Sequence, residues 1–204
     1  MRKAIFLFMA IGIFYTASSQ IMAGASIGTF NIPGAGTKFR GIGPTIKLEY
    51  GMSDRSSSYL DFSLYNKEQD NGSTTTITDP AGAFIGEADT KANYSIRHLQ
   101  LGFKTIFGKG LSEKGFSFFI GGGVAVSFVK TTYKYTLTGY EIPDSKYNST
   151  AFGFHFNAGV QYNLDPIIIE LKGNLDIMLK PLVTGDSYVI SASRLGVLIP
   201  LKKQ

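Results

Sequence analysis

The sequence predicts an all-β chain, an eight-stranded antiparallel up-and-down transmembrane β-barrel. Three observations predict it. Apolar and polar residues alternate with a period of two through eight segments, which is the rhythm of a strand with two unlike faces. The apolar faces of the central segments carry no charge, while the polar faces carry acids and bases in equal number. Short and long connections tend to alternate, as in a membrane barrel with short turns at one end and longer loops at the other.

The elements follow in order. Arg2 and Lys3 precede an apolar run, Ala4 to Ala17, and then Ser18-Ser19-Gln20. Residues 1–19 read as a signal peptide cut after Ser19, because 14 apolar residues fall short of the roughly 20 that span a bilayer as a helix. Residues 20–204 then form one barrel domain. The first strand is expected near Ile21–Phe30. In Gly41–Tyr50, Ile42, Ile46 and Leu48 oppose Lys47 and Glu49. In Tyr59–Tyr65, Leu60, Phe62 and Leu64 oppose Tyr59, Asp61 and Ser63. In His98–Phe107, Leu99, Leu101 and Phe103 oppose His98, Gln100 and Lys104. In Phe116–Phe128, Phe118, Val124 and Phe128 oppose Ser117, Gly121 and Ser127. The ribbon AFGFHFNAGVQY (151–162) sets Phe152, Phe154 and Phe156 against His155, Asn157 and Gln161. In Ile167–Ile177, Ile169, Leu171 and Ile177 oppose Glu170, Lys172 and Asp176. In Arg194–Leu201, Leu195 and Val197 oppose Arg194 and Gly196.

Two barrels could carry this pattern. A soluble one fills its interior with the apolar face; a membrane one turns that face to lipid. Eight strands enclose room for side chains only. The rings of Phe103, Phe118, Phe152, Phe154 and Phe156 would crowd such an interior. The polar face supplies small residues instead, among them Gly43, Gly102, Gly123, Gly153 and Gly159. The expected lumen therefore holds the charge network Lys47, Glu49, Asp61, Lys104, Glu170, Lys172, Asp176 and Arg194, four acids against four bases. With it stand the polar residues His98, Gln100, His155, Asn157 and Gln161. The expected lipid-facing residues are Leu48, Leu60, Phe62, Leu101, Phe103, Phe118, Val124, Phe154, Phe156, Ile169, Leu171 and Val197. Balanced charge suits a confined lumen, since an unpaired buried charge costs several kcal/mol.

The chain resembles the small exported β-barrels of Bacteroidota outer membranes, the outer membrane protein β-barrel domain family, and more loosely the OmpX- and OmpA-type eight-stranded barrels. The resemblance is carried by the leader ending Ser19-Gln20, the strand Leu99–Lys104, the glycine strand Phe119–Val126 and the closing Arg194-Leu195-Gly196-Val197. It implies a place in a Gram-negative outer membrane, contact with outer-membrane lipid, and insertion by the barrel-assembly machinery. Such barrels usually finish on an aromatic residue. This chain departs from that pattern with Pro200-Leu201-Lys202-Lys203-Gln204.

Chemistry is sparse. The absence of Cys excludes disulfides, thiol nucleophiles and thiolate metal sites. His98 and His155 read as hydrogen-bonded lumen residues, with neither a metal site nor a cofactor expected. There is no G-x-S-x-G, and no compact Ser/His/acid cluster is visible. Glu170 and Asp176 share a face but stand roughly 20 Å apart along a strand, too far for paired carboxylate chemistry. A formal charge of +5 without basic runs speaks against a nucleic-acid partner. The expected function is thus non-enzymatic: a plugged, salt-bridged barrel with a structural or adhesive role, any extracellular ligand bound at loops 68–92 and 132–148. The rivals are a small channel or transport-accessory barrel, a lipid-modifying enzyme, and a soluble lipocalin-like barrel.

Overall fold

A computed structural model describes residues 20–32, 39–179 and 188–201; the leader proposed for residues 1–19 and the connections at 33–38 and 180–187 lie outside them. The strands are β1 (Gln20–Ile32), β2 (Phe39–Ser53), β3 (Ser56–Thr78), β4 (Phe84–Gly108), β5 (Gly115–Thr136), β6 (Ser145–Asn163), β7 (Ile168–Leu179) and β8 (Tyr188–Pro200). Each pairs antiparallel with the next. β8 returns to β1, from Met22 opposite Pro200 to Asn31 opposite Ser191, and so closes the barrel. Closure leaves no open edge around the wall, which an isolated sheet cannot achieve.

At one end, called here the near end, the connections are short, at 54–55, 109–114 and 164–167. Local hydrogen bonds hold them. Asn163 Oδ1 accepts from the Asp165 amide at 2.8 Å, and the Ser53 and Ser56 hydroxyls meet at 2.7 Å across the β2–β3 turn. The 109–114 turn folds back under the barrel: the Leu111 amide donates to Asp54 O, and Asn163 Nδ2 donates to Leu111 O.

The far end departs from the sequence expectation. The segments 68–92 and 132–148 are largely strand, not loop. β3 and β4 stay paired out to Thr78 opposite Phe84, with register shifts between Asp70 and Ser73 and between Ile77 and Thr78. β4 and β5 pair out to Asp89 opposite Thr136, and β5 and β6 out to Tyr133 opposite Ser145. Only 79–83 and 137–144 remain as connections. The physical reason is that β-branched Thr residues at 74, 75, 76 and 78 suit a ladder whether or not one face is apolar. Beyond the wall neither face needs to be apolar, so the period-two signal fades while the strands continue. Asp79 builds the first tip, its Oδ1 accepting from the Ala81 and Ala83 amides at 2.9 and 2.7 Å, with Gly82 at φ 85°.

Polarity is inverted relative to a water-soluble fold. The interior holds ion pairs and amides, while Phe, Leu and Ile cover the outside. Apolar groups fill the lumen toward both ends. Near the short turns, Met22, Ile106, Leu111, Phe119, Ile168 and Leu198 pack together. Toward the far end stand Phe30, Tyr65, Ile96 and Ala192 beside a second group of Ala125, Ala151, Met178 and Ile190. Leu111, a turn residue folded into the barrel end, has no strand parity that could have announced it.

Candidate functional site

Inward-pointing residues of β2 through β8 build the polar lumen. Lys47, Glu49, Asp61, Lys104, Glu170, Lys172, Asp176 and Arg194 are each at most 5% exposed, and His98, Gln100, His155, Asn157 and Gln161 at most 6%.

The charges divide into two clusters. In the nearer one, Lys47 and Lys104 alternate with Glu49 and Glu170. Lys47 Nζ lies 2.8 Å from both carboxylates, and Lys104 Nζ lies 2.8 Å from Glu49 and 3.0 Å from Glu170. The result is a closed four-membered ring of two cations and two anions. Ser57 Oγ donates to Glu49 at 2.7 Å, and Lys104 also donates to Gln161 at 3.0 Å. Lys104 Nζ sits 4.7 Å from the Phe119 ring centroid, so the ring rests directly on the near apolar group.

The second cluster centres on Asp61. Lys172 pairs with it, and Arg194 Nη1 reaches the same oxygen at 3.2 Å. Arg194 also donates to Gln100 Oε1 at 3.0 Å and to the Tyr65 hydroxyl at 2.9 Å. Gln100 Nε2 donates to Asp176 at 2.6 Å and so links the cluster to the next group. Tyr59 stands between the clusters. Its hydroxyl bonds Asn157 and His155, and Lys47 and Lys172 lie 5.4 and 5.3 Å from its ring centroid.

One grouping went unseen in the sequence. Ser127 Oγ and His98 Nδ1 share a hydrogen bond of 2.6 Å, and His98 Nε2 faces Asp176 Oδ2 at 3.2 Å. A serine, a histidine and an acid therefore do meet, from β5, β4 and β7. The three are fully enclosed at 0% exposure. The His98–Asp176 contact has ion-pair distance but not hydrogen-bond alignment. Ser127 lies within the paired ladder, opposite His98 on β4 and Ala151 on β6. Its neighbouring amides are thus engaged with adjacent strands, which leaves no pair of free donors for an oxyanion. The group lies inside the barrel, enclosed by its wall and by the other lumen side chains. Among the described residues no three His, Asp or Glu stand together to hold a metal ion.

Inward glycines make room for these side chains. A Cβ on Gly43 would stand 2.4 Å from the Tyr65 ring, one on Gly159 2.6 Å from Phe119, and one on Gly28 2.6 Å from Arg194 Cγ. Rings and the one long guanidinium lie over missing side chains. The small inward residues thus leave room for rings as well as for long charged side chains.

Outside, Leu48, Leu60, Phe62, Leu101, Phe103, Phe118, Val124, Phe154, Phe156, Ile169, Leu171 and Val197 are all exposed; the least so, Leu60 and Phe62, still show 37%. Aromatic residues stand at both margins of this belt. Phe107, Phe116, Phe118 and Tyr162 lie toward the short turns, and Phe128 and Phe152 toward the far end.

The sequence matches no family model, and no curated protein is similar to it. Solved structures do match. The attachment invasion locus protein Ail of Yersinia pestis, solved with the heparin analogue sucrose octasulfate, superposes with a TM-score of 0.58 at 10% identity over 91% of this chain and 100% of that one. Neisserial surface protein A superposes with a TM-score of 0.55 at 14% identity, over 90% of this chain and 99% of that one. A major outer membrane protein of Thermus thermophilus gives 0.53 at 12% identity, over 88% and 99%. At such identities the likeness is one of fold, and the fold is that of small outer-membrane β-barrels.

Proposed function

We propose that the chain is an outer-membrane β-barrel that crosses the bilayer on its eight strands, carries no open pore, and acts through the ribbons it projects at the far end. The observation that carries this reading is the inversion of polarity. In water, a surface covered by Phe103, Phe118, Phe152, Phe154 and Phe156 would drive association, because large contiguous apolar patches are not left exposed on monomeric soluble proteins. In a bilayer the same surface is the favourable one.

The strand lengths agree with it. β1, β7 and β8 have 13, 12 and 13 residues, close to the ~9–11 of a tilted membrane strand. β4 has 25 residues, roughly 80 Å if straight, and so must stand well clear of the bilayer. A lumen filled by apolar groups toward both ends and by eight charged side chains of zero net formal charge between them supports a structural or binding role over conduction.

The test has two parts. The purified chain, refolded into detergent, is expected to migrate differently on a gel before and after boiling and to fractionate with membranes. In planar bilayers it is expected to give no steady current. A chain recovered from the periplasm without detergent would overturn the membrane assignment, and stable nanosiemens conductance would overturn the sealed lumen.

A further inference from the structure

Just beyond the apolar belt, the outward face of the projecting ribbons becomes basic. Arg97 on β4, Lys130 and Lys134 on β5, and Lys146 on β6 are all exposed there. Arg97 lies opposite Phe128, Lys130 opposite Asn148, and Lys146 opposite Thr132, between the two β5 lysines. Lys146 is thus diagonal to both Lys130 and Lys134, and Arg97 is diagonal to Lys130, spacings of roughly 7–8 Å on a sheet. None of the four makes an ion pair with a described residue. On this face β5 presents Phe128, Lys130, Thr132, Lys134 and Thr136, and β6 presents Lys146, Asn148 and Thr150, with no carboxylate among them. Lys91 extends the strip opposite Lys134, and exposed acids stand around it: Glu68 on β3, Glu87 and Asp89 on β4, and Asp144 just before β6.

A recess of about 300 Å³ opens in this strip; its outward-facing lining is Ser95, Arg97, Phe128, Lys130, Asn148 and Thr150, with Val129 and Ser149 of the opposite parity completing it. Its outward side combines two cations, the hydroxyls of Ser95 and Thr150 and an amide with an aromatic wall that belongs to the apolar belt. That is the chemistry of an amphiphile's head: phosphate oxygens toward Arg97 and Lys130, hydroxyls of the head toward Ser95 and Thr150, and the start of the chains against Phe128. Four cations on neighbouring strands, none in an ion pair with a described residue, repel one another unless an anion lies between them. We propose that this strip binds the phosphate groups of anionic lipid headgroups in the leaflet at the far end of the barrel. The proposal rests on the membrane reading above.

The test compares the wild-type chain with K130Q/K134Q/K146Q and with a control, K109Q/K114Q, that alters lysines at the near end. Each is inserted into phosphatidylcholine vesicles with and without phosphatidylglycerol, and the lipid that stays bound after extraction is counted by native mass spectrometry. Insertion into pure phosphatidylcholine, read by heat-modifiability, checks the membrane reading by itself. The wild type is expected to retain phosphatidylglycerol over phosphatidylcholine. The triple variant should retain about tenfold less or lower still, and the control should match the wild type. Insertion without anionic preference, or equal retention by the triple variant, overturns the proposal and leaves the membrane reading standing. Displacement of the lipid by an equal concentration of inorganic phosphate overturns the assignment to a headgroup. Failure to insert into any vesicle overturns both.

Discussion

Lys47 Nζ lies 2.8 Å from each carboxylate oxygen of Glu170, joining β2 to β7 across 123 residues of chain. The contact is one side of the four-membered ring that also includes Glu49 and Lys104. Removal of one member leaves a buried charge with too few partners, which typically costs about 3–5 kcal/mol. Lys104→Met is therefore expected to lower the stability of the refolded barrel by that amount, measured by urea unfolding in micelles. The double variant K104M/E170Q should lose less than the sum of its parts, because each change removes the charge the other strands. Strict additivity would show that the ring does not act as a unit.

Glycines divide by side. A Cβ on Gly159 would meet Leu171 O at 2.3 Å and Phe119 at 2.6 Å, whereas one on Gly173 would meet nothing nearer than Ala158 O at 4.0 Å. Gly159→Ala should destabilise by about 1–3 kcal/mol. Gly173→Ala should be neutral or stabilising by a few tenths of a kcal/mol, since alanine restricts the unfolded chain more than glycine does. Thermal or urea midpoints of the two variants decide the matter.

Phe154 is 52% exposed, in mid-belt. Phe154→Arg should cost about 2–4 kcal/mol in a bilayer, as a cation near the midplane does. The readout is the folded fraction in vesicles across a urea series. A neutral effect there, together with improved solubility in plain buffer, would mean that the outer surface meets water.

Ser127 has the partners of a nucleophile but no access. A fluorophosphonate probe added to the intact barrel is expected to leave it unlabelled, and Ser127→Ala should change stability without changing any lipid turnover. Stoichiometric labelling of Ser127 would restore the enzyme reading.

The parity of side chains was readable because a strand has only two faces, and a one-residue slip would have moved every charge outward. That is why Glu49, Lys172 and Leu101 stand on the sides their sequence positions suggested. Partnerships were not readable. Whether Lys104 meets Glu49 or Asp61 depends on stagger between strands far apart in the chain, and nothing within β4 encodes it. The meeting of Ser127, His98 and Asp176 was hidden for the same reason, since three strands each contribute one member. The ribbons were hidden for a different one. Above the belt, stretches such as Thr74–Thr76 and Lys130–Lys134 carry polar side chains on the outward face as well, so no alternation remained to mark them as strand.

The two lumen clusters have an electrical consequence. With Asp176, tied to them through Gln100, their four cations and four anions sum to zero formal charge with the imidazoles neutral, and they are locked to walls that do not slide past one another. A field across the membrane does work only on net charge that can be displaced, about 2.3 kcal/mol per elementary charge per 100 mV. This interior offers it no handle, so the barrel should be indifferent to voltage of either sign.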